Sequence, residues 1–299
     1  MNDVPQVTAA DATIRPLRPQ DAAAAAAAAR TSLEALYPEE ETSAEEEAIR
    51  VAGATARVTH LQRTDPGGCW VAEVDGRVVG TAIGLIREGV WGFSLFALLP
   101  ELQGLGIGTR LYEPALEYGA CVPGGIILSS AHPAAMRRYA RSPGYRLLPA
   151  VALSGTWDPR RVPASLRCRP GDLSADARTI DAASQHVRGA SHMRDLPTLL
   201  DRPGVMLLVV EDEGFVCARN GTPWLLAARS EAAAEDLLWG AITSGPRGGT
   251  VTVDFVTAQN QWAIRVGLQA GLALAPEGPT FVRGEVGPMA PYLPSGAYL

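Results

Sequence analysis

Gln103-Gly-Leu-Gly-Ile-Gly-Thr109 follows Val90-Trp-Gly-Phe-Ser-Leu-Phe-Ala-Leu-Leu-Pro100, a run without a charge. The uncharged run predicts a buried strand. After the loop, Leu111, Pro114, Ala115 and Tyr118 recur at helical spacing. Gly104, Gly106 and Gly108 therefore fall between a strand and a helix N-terminus. There the unpaired backbone N–H groups and the helix dipole favour an anion. With no Cβ at those positions a phosphate can reach the backbone, so the stretch predicts a diphosphate cradle. The plain alternative is a glycine-rich turn without a ligand. A P-loop needs a Lys after its glycines; here Thr109 and Arg110 follow, and all 26 basic residues of the chain are arginine. The same composition removes a Lys Schiff base. A dinucleotide fingerprint wants a third small residue where Thr109 stands, within a βαβ unit. This loop instead follows several strand-like runs.

Those runs lie upstream. Cys69–Glu73, Arg77–Arg87 and Val90–Leu98 predict three strands joined by tight turns at Asp75-Gly76 and Glu88-Gly89. Earlier still, Thr13–Leu17 predicts a strand and Gln20–Ala35 a helix stopped by Pro38. The alanine run Ala22–Ala29 is too short to span a bilayer and suits that helix. Two acidic runs follow, Glu39–Glu41 and Glu45–Glu47, with Thr42 or Ser43 placed to cap a second helix. They form either a solvated helix start or an edge that attracts a cationic amine. Downstream, a helix ends near Tyr118, with Pro114 a misfit inside it. Gly125–Ser129 predicts a buried strand, His132 opens a further helix, and Tyr145–Leu153 predicts a last strand.

Gln-x-x-Gly-x-Gly after a strand ending in Pro, at the head of a helix, resembles the acyl-CoA loop of the GNAT N-acetyltransferases. The resemblance runs from about Ala12 to Ser154. It includes the opening Thr13-Ile-Arg-Pro-Leu-Arg-Pro-Gln-Asp21 and the hairpin Cys69–Gly80. The family's Asn-x-x-Ala-x-x-x-Tyr, then Gly and an aromatic, is matched by His132, Ala135, Tyr139, Gly144 and Tyr145. There are three departures. Leu105 stands where a basic residue is frequent, His132 replaces the Asn, and Ser142-Pro143 lengthens the Tyr-to-Gly spacing by one residue. The resemblance implies an α/β fold with a mixed, mostly antiparallel sheet flanked by helices. It also implies acetyl transfer from acetyl-CoA directly to an amine. Ala97, Leu98 and Leu99 would pair with the pantetheine chain, and a backbone N–H near Leu98 would stabilise the oxyanion. Gln103 with Gly104, Leu105, Gly106, Ile107, Gly108 and Thr109 would hold the diphosphate, and His132 would stand on the cofactor side. Tyr139 would protonate the leaving thiolate, against the alternative of a packed helix aromatic. An amine needs a proton acceptor; Glu88, His132 and the edge Glu34–Glu41 are weak candidates.

Trp157–Pro163 has the composition of a linker. Beyond it the pattern repeats: Val205–Val210, Gly214–Ala218 and Pro223–Ala228 as strands, Glu231–Ile242 as a helix, Thr250–Val256 as a strand, and Ala258–Leu268 as a helix. Asn260, Ala263 and Gly271 repeat the family spacing, but Gly267 replaces the Tyr and Ala227–Glu231 holds no glycine. The expected organisation is a catalytic domain over 1–157 and a degenerate GNAT-like domain over 158–299. The apolar C-terminal stretch Met289–Leu299 is expected to pack rather than trail free.

A net charge of −6 argues against a nucleic-acid partner. Cys69, Cys121, Cys168 and Cys217 lie far apart, so neither a metal site nor a disulfide framework is expected, and a reduced, cytoplasmic setting is simpler. His60, His186 and His192 lack metal-ligand spacing, and Ser129 and Ser130 lack a nucleophile-elbow context. No signal peptide or membrane partner is expected. The reading is an N-acetyltransferase of a small-molecule amine with acetyl-CoA as co-substrate, as a monomer or a homodimer. The competing class is a non-catalytic acyl-CoA-binding module.

Overall fold

The structure, a computed structural model, describes residues 9–37 and 43–299. Pro38, Glu39–Glu41 and Thr42 lie outside them. Of the described residues, those up to Ile86 together with Trp91–Cys121 form one compact unit. Arg87–Val90 and Val122–Leu299 form a second.

The first unit carries β1 (Thr13–Pro16), α1 (Ala22–Glu34), α2 (Ala44–Thr64), β2 (Cys69–Val74), β3 (Arg77–Arg87), β4 (Val90–Leu98) and α3 (Ile107–Tyr118). Its strands lie side by side in the order β1-β2-β3-β4. Asp75 (φ 50°) and Gly76 (φ 76°) make the doubly left-handed turn that suits a two-residue hairpin, and Glu88 (φ 46°) with Gly89 (φ 88°) repeats it. The Ser43 hydroxyl accepts the Glu46 amide at 3.2 Å, and Glu45–Glu47 occupy the first turn of α2, as the dipole favours. Ala22, Ala25, Ala26, Ala28 and Ala29 form the buried face of α1, and Arg30 bonds both Glu34 of its own helix and Glu47 of α2. Buried Asp65 ties three elements together. It accepts the Ile86 amide at 2.9 Å, the Thr64 hydroxyl at 2.6 Å and the Tyr118 hydroxyl at 3.2 Å.

The second unit contains β5 (Gly124–Leu128), α4 (Pro133–Ala140), β6 (Tyr145–Thr156), β7 (Arg169–Pro170), α5 (Ala177–Arg188), α6 (Leu196–Leu200), β8 (Val205–Val210), β9 (Gly214–Arg219), β10 (Thr222–Ala228), α7 (Glu231–Ser244), β11 (Thr250–Thr257), α8 (Gln261–Ala270), β12 (Ala273–Gly284) and β13 (Tyr292–Leu293). Within it, β5-β12-β6-β11 are successive neighbours, and a five-stranded sheet runs β13-β10-β9-β8-β7. Every registered pair is antiparallel. The result is a mixed α/β fold. Its core joins Leu237 and Trp239 of α7 to Trp262 and Val266 of α8 and to the inner faces of β9, β10 and β11.

The compact units do not follow the expected division at residue 157. The reason is an exchange of last strands. β12, at the end of the second half, pairs with β5 from Thr280 (opposite Leu128) to Gly284 (opposite Gly124). β6, the last strand of the first half, pairs with β11 through Leu153 opposite Val253. Periodicity did not disclose β12, because Pro276, Gly278 and Pro279 interrupt it. Pro276 is tolerated since it lies before the stretch that β5 pairs, and the register shifts between Glu277 and Thr280. The β12 backbone also seats closely on the residues after β5: Ser129 donates its amide to the Pro279 carbonyl at 3.0 Å. A Cβ at Gly278 would come within 1.9 Å of the Ser129 carbonyl.

α5 and α6 fall in a region to which the sequence reading assigned no elements. Beside α6, Arg87 and Asp195 form a two-toothed ion pair at 2.6 and 2.8 Å, 4% and 1% exposed. The C-terminal stretch packs as expected, with Met289, Tyr292, Leu293, Tyr298 and Leu299 buried. Among the described residues no helix is long and apolar enough to cross a membrane.

Candidate functional site

The glycine loop is set by what holds α3. Ile107, Leu111, Tyr112 and Ala115 form its buried face. Tyr112 meets Phe93 of β4 edge-on at 5.3 Å and Phe96 at 5.9 Å. Those aromatic contacts fix where the helix begins. Gly106 is its N-cap in the left-handed region (φ 88°) and has no side chain to cap the helix itself. Gly104 is also left-handed (φ 81°), with open space where a Cβ would project. Gln103, Gly104, Gly106 and Thr109 are exposed, Leu105 and Gly108 half-buried, and Ile107 buried. A helix start behind exposed, left-handed glycines leaves room for an anion to approach the backbone. Pro114 lies inside α3, which runs unbroken from Ile107 to Tyr118.

At the strand end two groups expected to meet the donor have partners within the chain. The Leu99 amide donates to the Val79 carbonyl at 2.9 Å, so it is not free to pair with a ligand. The Gln103 side chain donates its amide to the Leu98 carbonyl at 3.0 Å, folding back onto the strand rather than out toward a diphosphate. Both follow from one need: backbone groups leaving a buried strand must find partners. Ala97, Leu98 and Leu99 are themselves buried.

His132 and Tyr139 belong to the second unit. His132 is the N-cap of α4 and half-buried; its amide donates to the Ser130 hydroxyl at 3.4 Å, and its ring makes no cap bond. Tyr139 is 5% exposed and stands edge-on to Phe281 of β12 at 5.8 Å. The extra residue at Ser142-Pro143 is taken up after the helix: Ser142 donates to the Tyr139 carbonyl and accepts from Tyr145. The spacing of His132 and Tyr139 along α4 is therefore unaffected.

Two of the weak proton-acceptor candidates are engaged elsewhere, while Glu39–Glu41 lie outside the described residues. Glu88 accepts from the Ser191 amide at 2.7 Å and from the Gln185 side chain, and Glu34 pairs with Arg30. A carboxylate that the sequence did not single out titrates closer to neutrality than an ordinary Asp. Asp254 stands exposed on β11, beside the register shift where Phe255 takes a positive φ of 54°. Dense surroundings push its carboxyl up to about 6, and the neighbouring charge of Glu277 adds to this. Only the strand exchange brings residues 254 and 277 together, so no local signal marks them. The cysteines offer no ready nucleophile where they are enclosed: burial pushes the Cys69 thiol up to about 12 and raises Cys217 further.

In the second half, Ser230 caps α7 by accepting the Ala233 amide at 3.2 Å. Its hydroxyl donates to Glu213 at 2.5 Å. A capped start beside a carboxylate disfavours an anion, as the absence of glycine there predicts. His192 is buried against Tyr292 and its titration is pushed down by desolvation, so it is a neutral core residue.

Residues 28–145 match the model of the acetyltransferase (GNAT) family. An uncharacterised N-acetyltransferase of Methanocaldococcus jannaschii is 35% identical over 74 residues, which is 25% of this chain and 47% of that protein. The chain thus spans about half the length of this curated relative. A crystal structure from Pyrococcus horikoshii, described as an acetyltransferase, superimposes with a TM-score of 0.76 at 16% identity over 100% of this chain and 99% of its own. A GCN5-related N-acetyltransferase from Sphaerobacter thermophilus follows at 0.57 and 17% identity, over 93% and 97%. At such identities the structures speak for the fold alone.

Proposed function

From a chain whose residues 28–145 match the model of the GNAT acetyltransferase family, we propose an N-acetyltransferase that moves the acetyl group of acetyl-CoA directly to a small-molecule amine. The observation that carries this reading is the start of α3, where left-handed Gly106 opens the helix and left-handed Gly104 leaves open space in front of it. On this reading the amides of Leu105 to Thr109 hold the diphosphate. Leu105 adds no charge, so backbone dipoles supply the attraction.

Acetyl-CoA supplies an activated thioester carbonyl. The residues of the chain do the rest. The Leu98 region presents backbone toward the carbonyl oxygen. Tyr139 delivers its hydroxyl proton to the departing sulfur, and its burial beside Phe281 holds the ring in one orientation. The amine gives up a proton as it becomes an amide, and Asp254, whose carboxyl is raised to about 6, is the proposed acceptor. The setting is cytosolic, which agrees with four free cysteines. The second half is a GNAT-like copy without donor chemistry, supported by the Ser230 cap and the Glu213 carboxylate at the start of α7.

Release of the CoA thiol, measured against a panel of small amines, tests the reading. Amine-dependent release with stoichiometric acetylated product is expected. Tight acetyl-CoA binding with no release above hydrolysis for any amine would leave the non-catalytic binding module instead.

A further inference from the structure

The two halves run in the same element order. β8, β9, β10, α7, β11 and α8 follow one another as β2, β3, β4, α3, β5 and α4 do. By that correspondence the final residues of β10, Leu226–Ala228, match the end of β4, where the donor chain is proposed to lie. Asn260, the N-cap of α8, matches His132, the N-cap of α4. In the second half both positions hold the chain's own C-terminal stretch. Tyr292 and Leu293 pair with Ala227 and Leu226, and the Pro291 carbonyl accepts the Ala228 amide at 3.2 Å. Buried Asn260 donates to the Met289 carbonyl at 3.0 Å and accepts the Tyr292 amide at 2.9 Å. The Met289 amide reaches the Val187 carbonyl at 2.7 Å, and the Tyr292 hydroxyl meets His192 at 2.9 Å. Buried Arg188 donates to the carbonyls of Tyr298 and Leu299.

We infer that the second half retains the donor slot of its fold with altered chemistry. It is a site for an extended peptide strand, and residues 289–299 are its tethered ligand. The inference rests on the donor reading of the β4 edge. Pantetheine is a chain of amides, and a β-strand offers the same alternating donors and acceptors to a sheet edge. What separates the two ligands is the diphosphate. It would meet the left-handed glycine start of α3 in the first half, and the Ser230 cap with Glu213 in the second. Tyr292 adds a buried aromatic anchor with a satisfied hydroxyl, which pantetheine lacks. The slot thus selects peptide over acyl-CoA and stays filled.

The test uses the full chain. Tyr292→Ala with Leu293→Ala removes the anchor but leaves the slot intact. A fluorescein-labelled synthetic peptide of residues 289–299 should bind this variant at one per chain and should not bind the unaltered protein. Adding Asn260→Ala should weaken that binding at least about tenfold, the loss expected of two buried hydrogen bonds. A variant with native circular dichroism that takes up no peptide would overturn the proposal. If the variant does not fold, hydrogen exchange on the unaltered protein decides. Amides of 289–293 should exchange through a local opening, faster than those of Phe215–Ala218 in β9. Equal rates would make the stretch an inseparable part of the sheet and refute a ligand-like role. Acetyl-CoA titration of the same samples keeps the two readings apart. Lost peptide binding with intact acetyl-CoA binding sinks only the tethered-ligand proposal. Absent acetyl-CoA binding with intact peptide binding sinks only the donor reading.

Discussion

Tyr139 and Asp254 carry the sharpest claims about single side chains. If the Tyr139 hydroxyl protonates the thiolate, Tyr139→Phe keeps the ring against Phe281 but lowers kcat by about 100- to 10,000-fold. KM for acetyl-CoA should change little, because the lost interaction belongs to the transition state. A nearly silent Phe variant together with a destabilised Ala variant would reduce Tyr139 to packing. For Asp254 the sign follows from its direction. The folded-state carboxyl titrates at about 6 against 3.8 as the ordinary value, so the folded protein binds more protons across that interval. Stability therefore falls as pH rises from about 4 to about 6, and the penalty persists above. Asp254→Asn should raise Tm at pH 7 and leave it unchanged at pH 4. As the proton acceptor, Asp254 should also give kcat/KM an acidic limb near its own titration, and the Asn variant should lose it. Thermal melts and a pH–rate profile read both, and a variant that keeps the limb would remove Asp254 from catalysis.

At the scale of elements, the sequence disclosed what local chemistry specifies. The bounds of β3, β4 and β8 fall where alternation and uncharged runs put them, because Asp75-Gly76 and Glu88-Gly89 permit only tight turns. Ser43 caps α2 as its side chain predicts. β12 was not legible, since its prolines are tolerated only by the partners it happens to have. The same holds for the loop: its glycines pointed to the helix start, but nothing local announced that Gln103 turns back to Leu98. The Arg87–Asp195 pair, joining residues 108 apart in sequence, was likewise invisible. Its geometry makes a specific prediction. Asp195→Ala strands a buried guanidinium and should cost about 3–5 kcal/mol in denaturant unfolding. Replacing both partners, as Arg87→Met with Asp195→Leu, should recover most of that loss. Equal destabilisation by the single and double variants would mean that the packing of α6, not the charge, is what Asp195 supplies.

Over the whole molecule, the strand and helix order of the first half recurs in the second, and the proposed donor chemistry is assigned to the first. The proposed asymmetry rests in the sequence on the absence of glycine over Ala227–Glu231, whereas the C-terminal strand beside β10 emerged only from long-range pairing. Calorimetric titration with acetyl-CoA tests the central claim most directly, using the unaltered protein beside Gly106→Glu. Gly106 is exposed at the N-cap of α3, so the new carboxylate would meet the diphosphate there, and its left-handed backbone costs a non-glycine residue about 1–3 kcal/mol. The account predicts one acetyl-CoA per chain for the unaltered protein and none for a folded Gly106→Glu variant. Two sites per chain, or unchanged affinity in that variant, would contradict it.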